Sequence, residues 1–199
     1  MNITSSLKSN INNIKSQFNN SKDIIIKQFT SGNYNIGIVY LKGMVDVMQL
    51  SQFVIQPLQL ADTSKIDDLG QLMGNIVVYP ETAEETDFCK IISEITKGKV
   101  AIIVDKYKSI YLIELDKPKE RSLTEPPTSA VLKGPREGFN ENIKTNIAVV
   151  RKILSTSDLV TEMLTVGRVT TTSVCVMYLK GIAEKTLVKE IINRLKTID

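Results

Sequence analysis

The 199-residue chain contains no histidine and no tryptophan, and only two of its residues are cysteine. Without histidine there is no Ser/His/Asp or Cys/His catalytic arrangement, no imidazole-bound metal and no ordinary proton carrier near neutral pH. Most familiar hydrolase chemistry is thereby excluded. Cys89 and Cys175 show no CxxC or other zinc-type spacing and lie in apolar surroundings, so they are expected to be buried thiols of a reducing compartment. A Walker Gly-Lys-Ser/Thr, a Gly-x-Ser-x-Gly elbow and metal-ligand spacings are also missing, which points away from an enzyme, a cofactor or a metal. No apolar run is long enough for a membrane span, and the amino terminus lacks the apolar stretch of a signal peptide; the chain as given reads as soluble and intracellular. A formal charge of +3 from 25 basic and 22 acidic residues is too small to draw nucleic acid, and no aromatic platform accompanies it.

With 42% apolar and 24% charged residues the chain has material for a real core in one or two domains. Leu7, Ile11, Ile14 and Phe18 fall on one helical face after Ser5 or Ser6, predicting a helix over 6–19, with a frayed tail as the alternative. Ile24 to Phe29 and Asn35 to Leu41 flank a Gly-Asn turn and read as two strands. Asp46 can cap a helix that places Leu50, Phe53, Val54 and Leu58 inward, with Pro57 closing it or beginning the exit. Ile76 to Tyr79 is expected as a strand, 86–97 as a helix with Phe88, Ile91, Ile92 and Ile95 inward and Gly98 as its stop, and 100–104 with 109–115 as a second hairpin. Residues 116–139 hold four of the six prolines and cannot be one regular element. A helix beginning at or just before Asn140, two strands (159–166 and 171–179) and an amphipathic helix (184–195) complete the reading.

Tyr40-Leu41-Lys42-Gly43 recurs as Tyr178-Leu179-Lys180-Gly181, 138 positions on. Each copy ends an apolar strand and precedes a helix, so a helix-hairpin-helix unit is expected twice, over about 6–58 and 140–197. Two copies are too few for a solenoid. The expected fold is therefore α/β (α+β) with two similar subdomains, each a small mixed sheet with flanking helices. The expected divisions are 1–22 as an amino-terminal helix, 23–115 as subdomain 1, 116–139 as a Pro/Gly-rich linker and 140–199 as subdomain 2. The amino-terminal helix can pack with either. The interface between subdomains is the default cleft.

Several strings carry a resemblance. Ile38-Val39-Tyr40-Leu41-Lys42-Gly43-Met44-Val45-Asp46, Pro57-Leu58, Glu125-Pro126, Gly134-Pro135-Arg136-Glu137-Gly138-Phe139 followed by Thr145-Asn146, and Val166-Gly167-Arg168 leading to Gly181-Ile182-Ala183 resemble the soluble amino-terminal domain of GerA-type spore germinant receptor A subunits. The resemblance covers roughly 23–199. Lys133 stands where the family has arginine, Lys152 replaces one of a cluster of arginines, and no tryptophan precedes Arg121; a lysine at 133 offers a point charge in place of a planar fork. The resemblance implies a domain on the core side of the spore inner membrane, tethered through a carboxy-terminal membrane region outside this chain. It also implies work with B and C subunits in assembly and signal relay during germination. As the alternative, the domain itself binds an amino acid, sugar or nucleoside between its subdomains.

The candidate site residues are Glu125, Gly134, Arg136, Gly138, Thr145 and Asn146. The two glycines and Pro135 shape a tight loop that presents Arg136 beside a helix amino terminus, where amides and a guanidinium together can hold a carboxylate or phosphate. Equally, Arg136 and Glu125 can pin the linker, and Thr145 and Asn146 can bond the loop. The acidic stretch 61–94 and the mildly basic stretch 116–152 also suggest head-to-tail pairing with a second copy, and the basic face could meet anionic lipid.

Overall fold

The computed structural model of the chain describes residues 2–61, 70, 73–74, 77, 82–115 and 138–198. Helix α1 (Leu7–Gln17) starts where Ser6 Oγ accepts the Ser9 amide at 3.3 Å. It buries Leu7, Ile11 and Ile14. Gly37 makes room for it, since a Cβ there would lie 2.8 Å from Leu7 Cδ1 and 2.9 Å from Ile11 Cδ1. Strands β1 (Ile24–Ser31) and β2 (Tyr34–Leu41) pair antiparallel around a two-residue turn, with Ser31 opposite Tyr34 and Gly32 at φ 51°.

Asp46 then caps α2 (Val47–Leu50), its Oδ1 accepting the amides of Met48 and Gln49 at 2.9 and 3.1 Å. The helix passes through a π turn (Ser51–Ile55) into α3 (Gln56–Leu60). Pro57 was expected to close this helix or begin its exit and instead sits in the first turn of α3. Lacking an N–H, it cannot complete the regular ladder, and the wider turn accommodates that loss. Leu50, Val54 and Leu58 are fully buried, whereas Phe53, expected inward, is 40% exposed. The expected strand at 76–79 lies outside the described residues, apart from Val77.

Strand β3 (Thr82–Glu85) leads to α4 (Phe88–Thr96), capped by Asp87 and ended by Gly98 at φ 106°. Strands β4 (Val100–Val104) and β5 (Ile110–Ile113) follow. The two hairpins expected from sequence join into one five-stranded sheet of order β1-β2-β4-β5-β3. Every pairing in it is antiparallel, which corrects the expected mixed sheet. The connection out of β2 returns to the end it left, with Val39 opposite Ala101, and so delivers β4 in the reverse direction. All of β4 and the last six residues of β2 are buried, as strands covered on both faces must be.

Helix α5 (Ile143–Ile153) is capped by Asn142, two residues later than expected, because Asn140 commits its own side chain to the Asn142 amide at 2.9 Å. Strands β6 (Leu159–Val166) and β7 (Thr172–Leu179) form a separate two-stranded sheet, and α6 (Lys185–Lys196) follows. The order α1-β1-β2-α2 is thus met again as α5-β6-β7-α6. Local hydrogen bonds match: Asn10 clasps Thr4 through Nδ2 to O (2.7 Å) and N to Oδ1 (2.9 Å), as Asn146 clasps Asn140 at 2.8 and 2.9 Å. The Lys42 amide donates to Asp23 O at 2.8 Å, and the Lys180 amide to Asp158 O at 2.9 Å. The surroundings differ, for among the described residues β7 has no third strand beside it and α6 buries only Val188.

Candidate functional site

Gly43 is the point where α5 meets the first sheet. Its φ of 86° favours glycine, and a Cβ there would stand 2.9 Å from the Lys144 carbonyl oxygen and 3.4 Å from Ala148 Cβ. Beside this contact opens a cleft of about 500 Å³. Ile25, Tyr40, Val45, Val47 and Met48 give it an apolar lining from the first sheet and α2. Lys42, Asp46, Lys144 and Thr145 supply polar groups. Asp46 is occupied in capping α2, and burial pushes the Tyr40 phenol above its ordinary value. The arrangement suits a small amphipathic molecule or an apolar side chain with an anionic neighbour. Among its described lining residues Asp46 is the one carboxylate. A second, polar groove lies at the start of α1, but there Asp105 Oδ1 already accepts the Leu7 amide at 2.9 Å.

Of the residues singled out from sequence, Thr145 lines the cleft. Asn146 points elsewhere and ties the approach to α5 through its two bonds with Asn140. Gly138 is half-buried just before that approach. Glu125, Gly134 and Arg136 lie outside the described residues, as does nearly all of the loop that carried the anion-clasp expectation. Cys89 is exposed, correcting the expectation of a buried thiol. It follows the Asp87 cap on the outer side of α4, whose inner face is Phe88, Ile91, Ile92 and Ile95. Cys175 is half-buried, and burial, with the Asp23 charge, raises its thiol pKa while Arg151 lowers it. Among the described residues no group of histidine, cysteine and carboxylate side chains could hold a metal.

Sequence reasoning missed the polar centre of the molecule. Arg151 is fully buried and makes a fork to Asp23, with Nε to Oδ2 at 2.7 Å and an Nη to Oδ1 at 3.0 Å. The guanidinium also donates to Thr156 O (3.0 Å) and Ser21 Oγ (3.2 Å), and Ser21 Oγ donates to Asp23 Oδ1 at 2.6 Å. Backbone bonds extend the clasp: the Thr161 amide donates to Ser21 Oγ (2.8 Å) and the Lys22 amide to Thr161 O (2.9 Å). The α1–β1 connection is thereby locked to the α5–β6 connection. One signal was available: Arg151 stands four and three residues after Ile147 and Ala148, on the buried face of α5.

The sequence profile of the Bacillus/Clostridium GerA spore germination protein matches residues 12–199. Spore germination protein KA of Bacillus subtilis is 29% identical over 201 residues, spanning 99% of this chain and 37% of that protein. The uncharacterized membrane protein YfkQ of Bacillus subtilis is 28% identical over 197 residues, 98% of this chain and 38% of the other. The chain therefore spans little more than a third of these curated relatives. The crystal structure of the N-terminal domain of the A subunit of the Bacillus megaterium spore germinant receptor GerK3 aligns with a TM-score of 0.79 at 30% identity, over 100% of this chain and 74% of that domain. Among the described residues no helix is long and apolar enough to cross a membrane.

Proposed function

Because the chain belongs to the GerA family of spore germination proteins, we propose that it is the extramembrane amino-terminal domain of a germinant receptor A subunit, serving receptor assembly and signal relay. The observation that carries this reading is the alignment of the whole chain with the GerK3 A-subunit domain, supported by the profile match over 12–199. The relay role draws on the clasp. A sheet-and-helix body and a hairpin meet at the buried Asp23–Arg151 pair with its Ser21, Lys22 and Thr161 bonds, at the bonds of Asn19 with Ser157 and Lys180, and at a helix seated on Gly43, so their mutual angle is set at a few polar points. In this reading the full protein sits in the spore inner membrane with this domain facing the core, and its partners are the B and C subunits. This reading asks no chemistry of the domain.

Two measurements on the receptor test the reading. Co-purification of B and C subunits with the full-length A subunit should fall when this domain is deleted, and germinant-triggered ion release should fall with it. Retention of both would overturn it. A thermal-shift scan of the 199-residue chain against amino acids, sugars and nucleosides should stay flat. A ligand bound in the cleft at 100 times its Kd would add ~2.7 kcal/mol, a rise of about 5–10 °C in a chain of this size. Such a rise, abolished by Thr145→Val, would favour the nutrient-binding alternative instead.

A further inference from the structure

The seat that Gly43 and Asp23 provide for α5 has a counterpart that stands open. Gly181 adopts φ 88°, as Gly43 adopts 86°, yet among the described residues nothing lies within 4 Å of where its Cβ would be. Asp158, which accepts the Lys180 amide as Asp23 accepts that of Lys42, is exposed, and its carboxylate has no partner among the described residues. At the other end of the chain, the face by which α5 engages its seat is Lys144, Ala148 and Arg151. Counted along α1 in the register that aligns Asn146 with Asn10, that face is Lys8, Asn12 and Lys15. All three are exposed, and neither lysine has an ion-pair partner among the described residues. Among the described residues, one molecule thus carries a seat whose Gly181 and Asp158 are uncovered, with Asn19 of the same chain bonding Ser157 and Lys180 at its rim, and an exposed seating face on its amino-terminal helix.

We propose that α1 of a second copy docks on the Gly181–Asp158 seat, with Lys15 against Asp158, repeating between molecules the contact that α5 makes within one. The surfaces are different, so the contact is head-to-tail and each added copy again presents an open seat. Lysine in place of the buried arginine gives one point contact where Arg151 makes a fork, and Asn12 replaces the small Ala148, so the association is weaker than its intramolecular counterpart and sensitive to salt. Tethering on a membrane would raise the local concentration that such a contact needs. The docking does not depend on the receptor reading.

The test is sedimentation of the 199-residue chain from about 10 μM to about 1 mM at low salt, a range that spans weak association. The weight-average mass should climb with concentration past that of a dimer and fall back as salt is raised. Lys15→Glu alone and Asp158→Lys alone should each hold the chain monomeric. The two together should restore association, since reversing both charges returns an attractive pair to every contact between copies. Both positions are exposed, and an unchanged circular dichroism spectrum verifies the fold of each variant. A monomer at every concentration would sink the proposal. So would association that either single reversal leaves intact, or that the double reversal fails to restore.

Discussion

Asp23 and Arg151 have given up nearly all contact with water, at 2% and 0% exposure, and each is tolerable only because of the other. Breaking a buried pair from one side leaves the remaining charge without its partner, which costs about 3–5 kcal/mol. Asp23→Asn should therefore lower the unfolding free energy by that amount in urea titration. The paired change Asp23→Leu with Arg151→Met should recover most of the loss, because no charge is then stranded. If the double variant is as unstable as the single one, the clasp acts through its hydrogen bonds to Ser21 and Thr156 and not through charge compensation. This pair was hard to read from sequence because Arg151 is followed by Lys152, and two cations at a helix end look like a solvated terminus. Lys152 is that; Arg151 is not. The 128 positions between Arg151 and Asp23 hide the partner, since spacing along a helix or strand reports only neighbours. Thr145, named from sequence for bonding the loop or a ligand, lines the cleft beside Gly43.

Helices and strands were largely legible, because burial on one side imposes a period that apolar residues reveal. Phe88, Ile91, Ile92 and Ile95 are all buried as their spacing implies. What periodicity does not carry is which edges meet. The pairing of β2 with β4, which turns two hairpins into one sheet, depends on the return path of the chain between Leu41 and Val100 and leaves no local mark. Nor could the repeated Tyr-Leu-Lys-Gly tell that one glycine is covered and the other bare. That difference makes a paired prediction. Gly43→Ala and Gly181→Ala both place an alanine at a φ of 86° or 88°, a strain of about 1 kcal/mol common to both. Only at Gly43 would the methyl also meet a backbone carbonyl, Lys144 O, at 2.9 Å, and overpacking of that kind adds about 1–3 kcal/mol. Denaturant midpoints should show Gly43→Ala as the more damaging by that margin. Equal losses would mean α5 gives way readily and does not bear on Gly43.

Across the whole molecule the apolar core is unevenly placed. The contiguous buried cluster runs through α1, the five-stranded sheet and the helices on it, and takes only Ala148 from the chain beyond residue 138. The β6–β7 hairpin rests on a few buried residues of its own, Leu159, Val160 and Val166, on the Arg151 clasp, and on the bonds of Asn19 with Ser157 and Lys180. Local opening follows such differences, since a segment with few buried contacts can separate while the core stays intact. Native-state hydrogen exchange should therefore divide the chain into two tiers. Amides of β2 and β4 should exchange only through global unfolding, and those of β6 and β7 through a cheaper opening, faster by on the order of tenfold or more. Asp23→Asn should widen the gap, speeding exchange across 156–166 more than it speeds exchange in β4. Protection that is uniform over both sheets would show one cooperative block, and a block of that kind could not pass on a change of angle between its parts. Two tiers that respond separately to the clasp would give the relay its physical basis: a hairpin held to a rigid sheet by the Arg151 clasp and the Asn19 bonds, free to move when a partner on either side competes successfully with them.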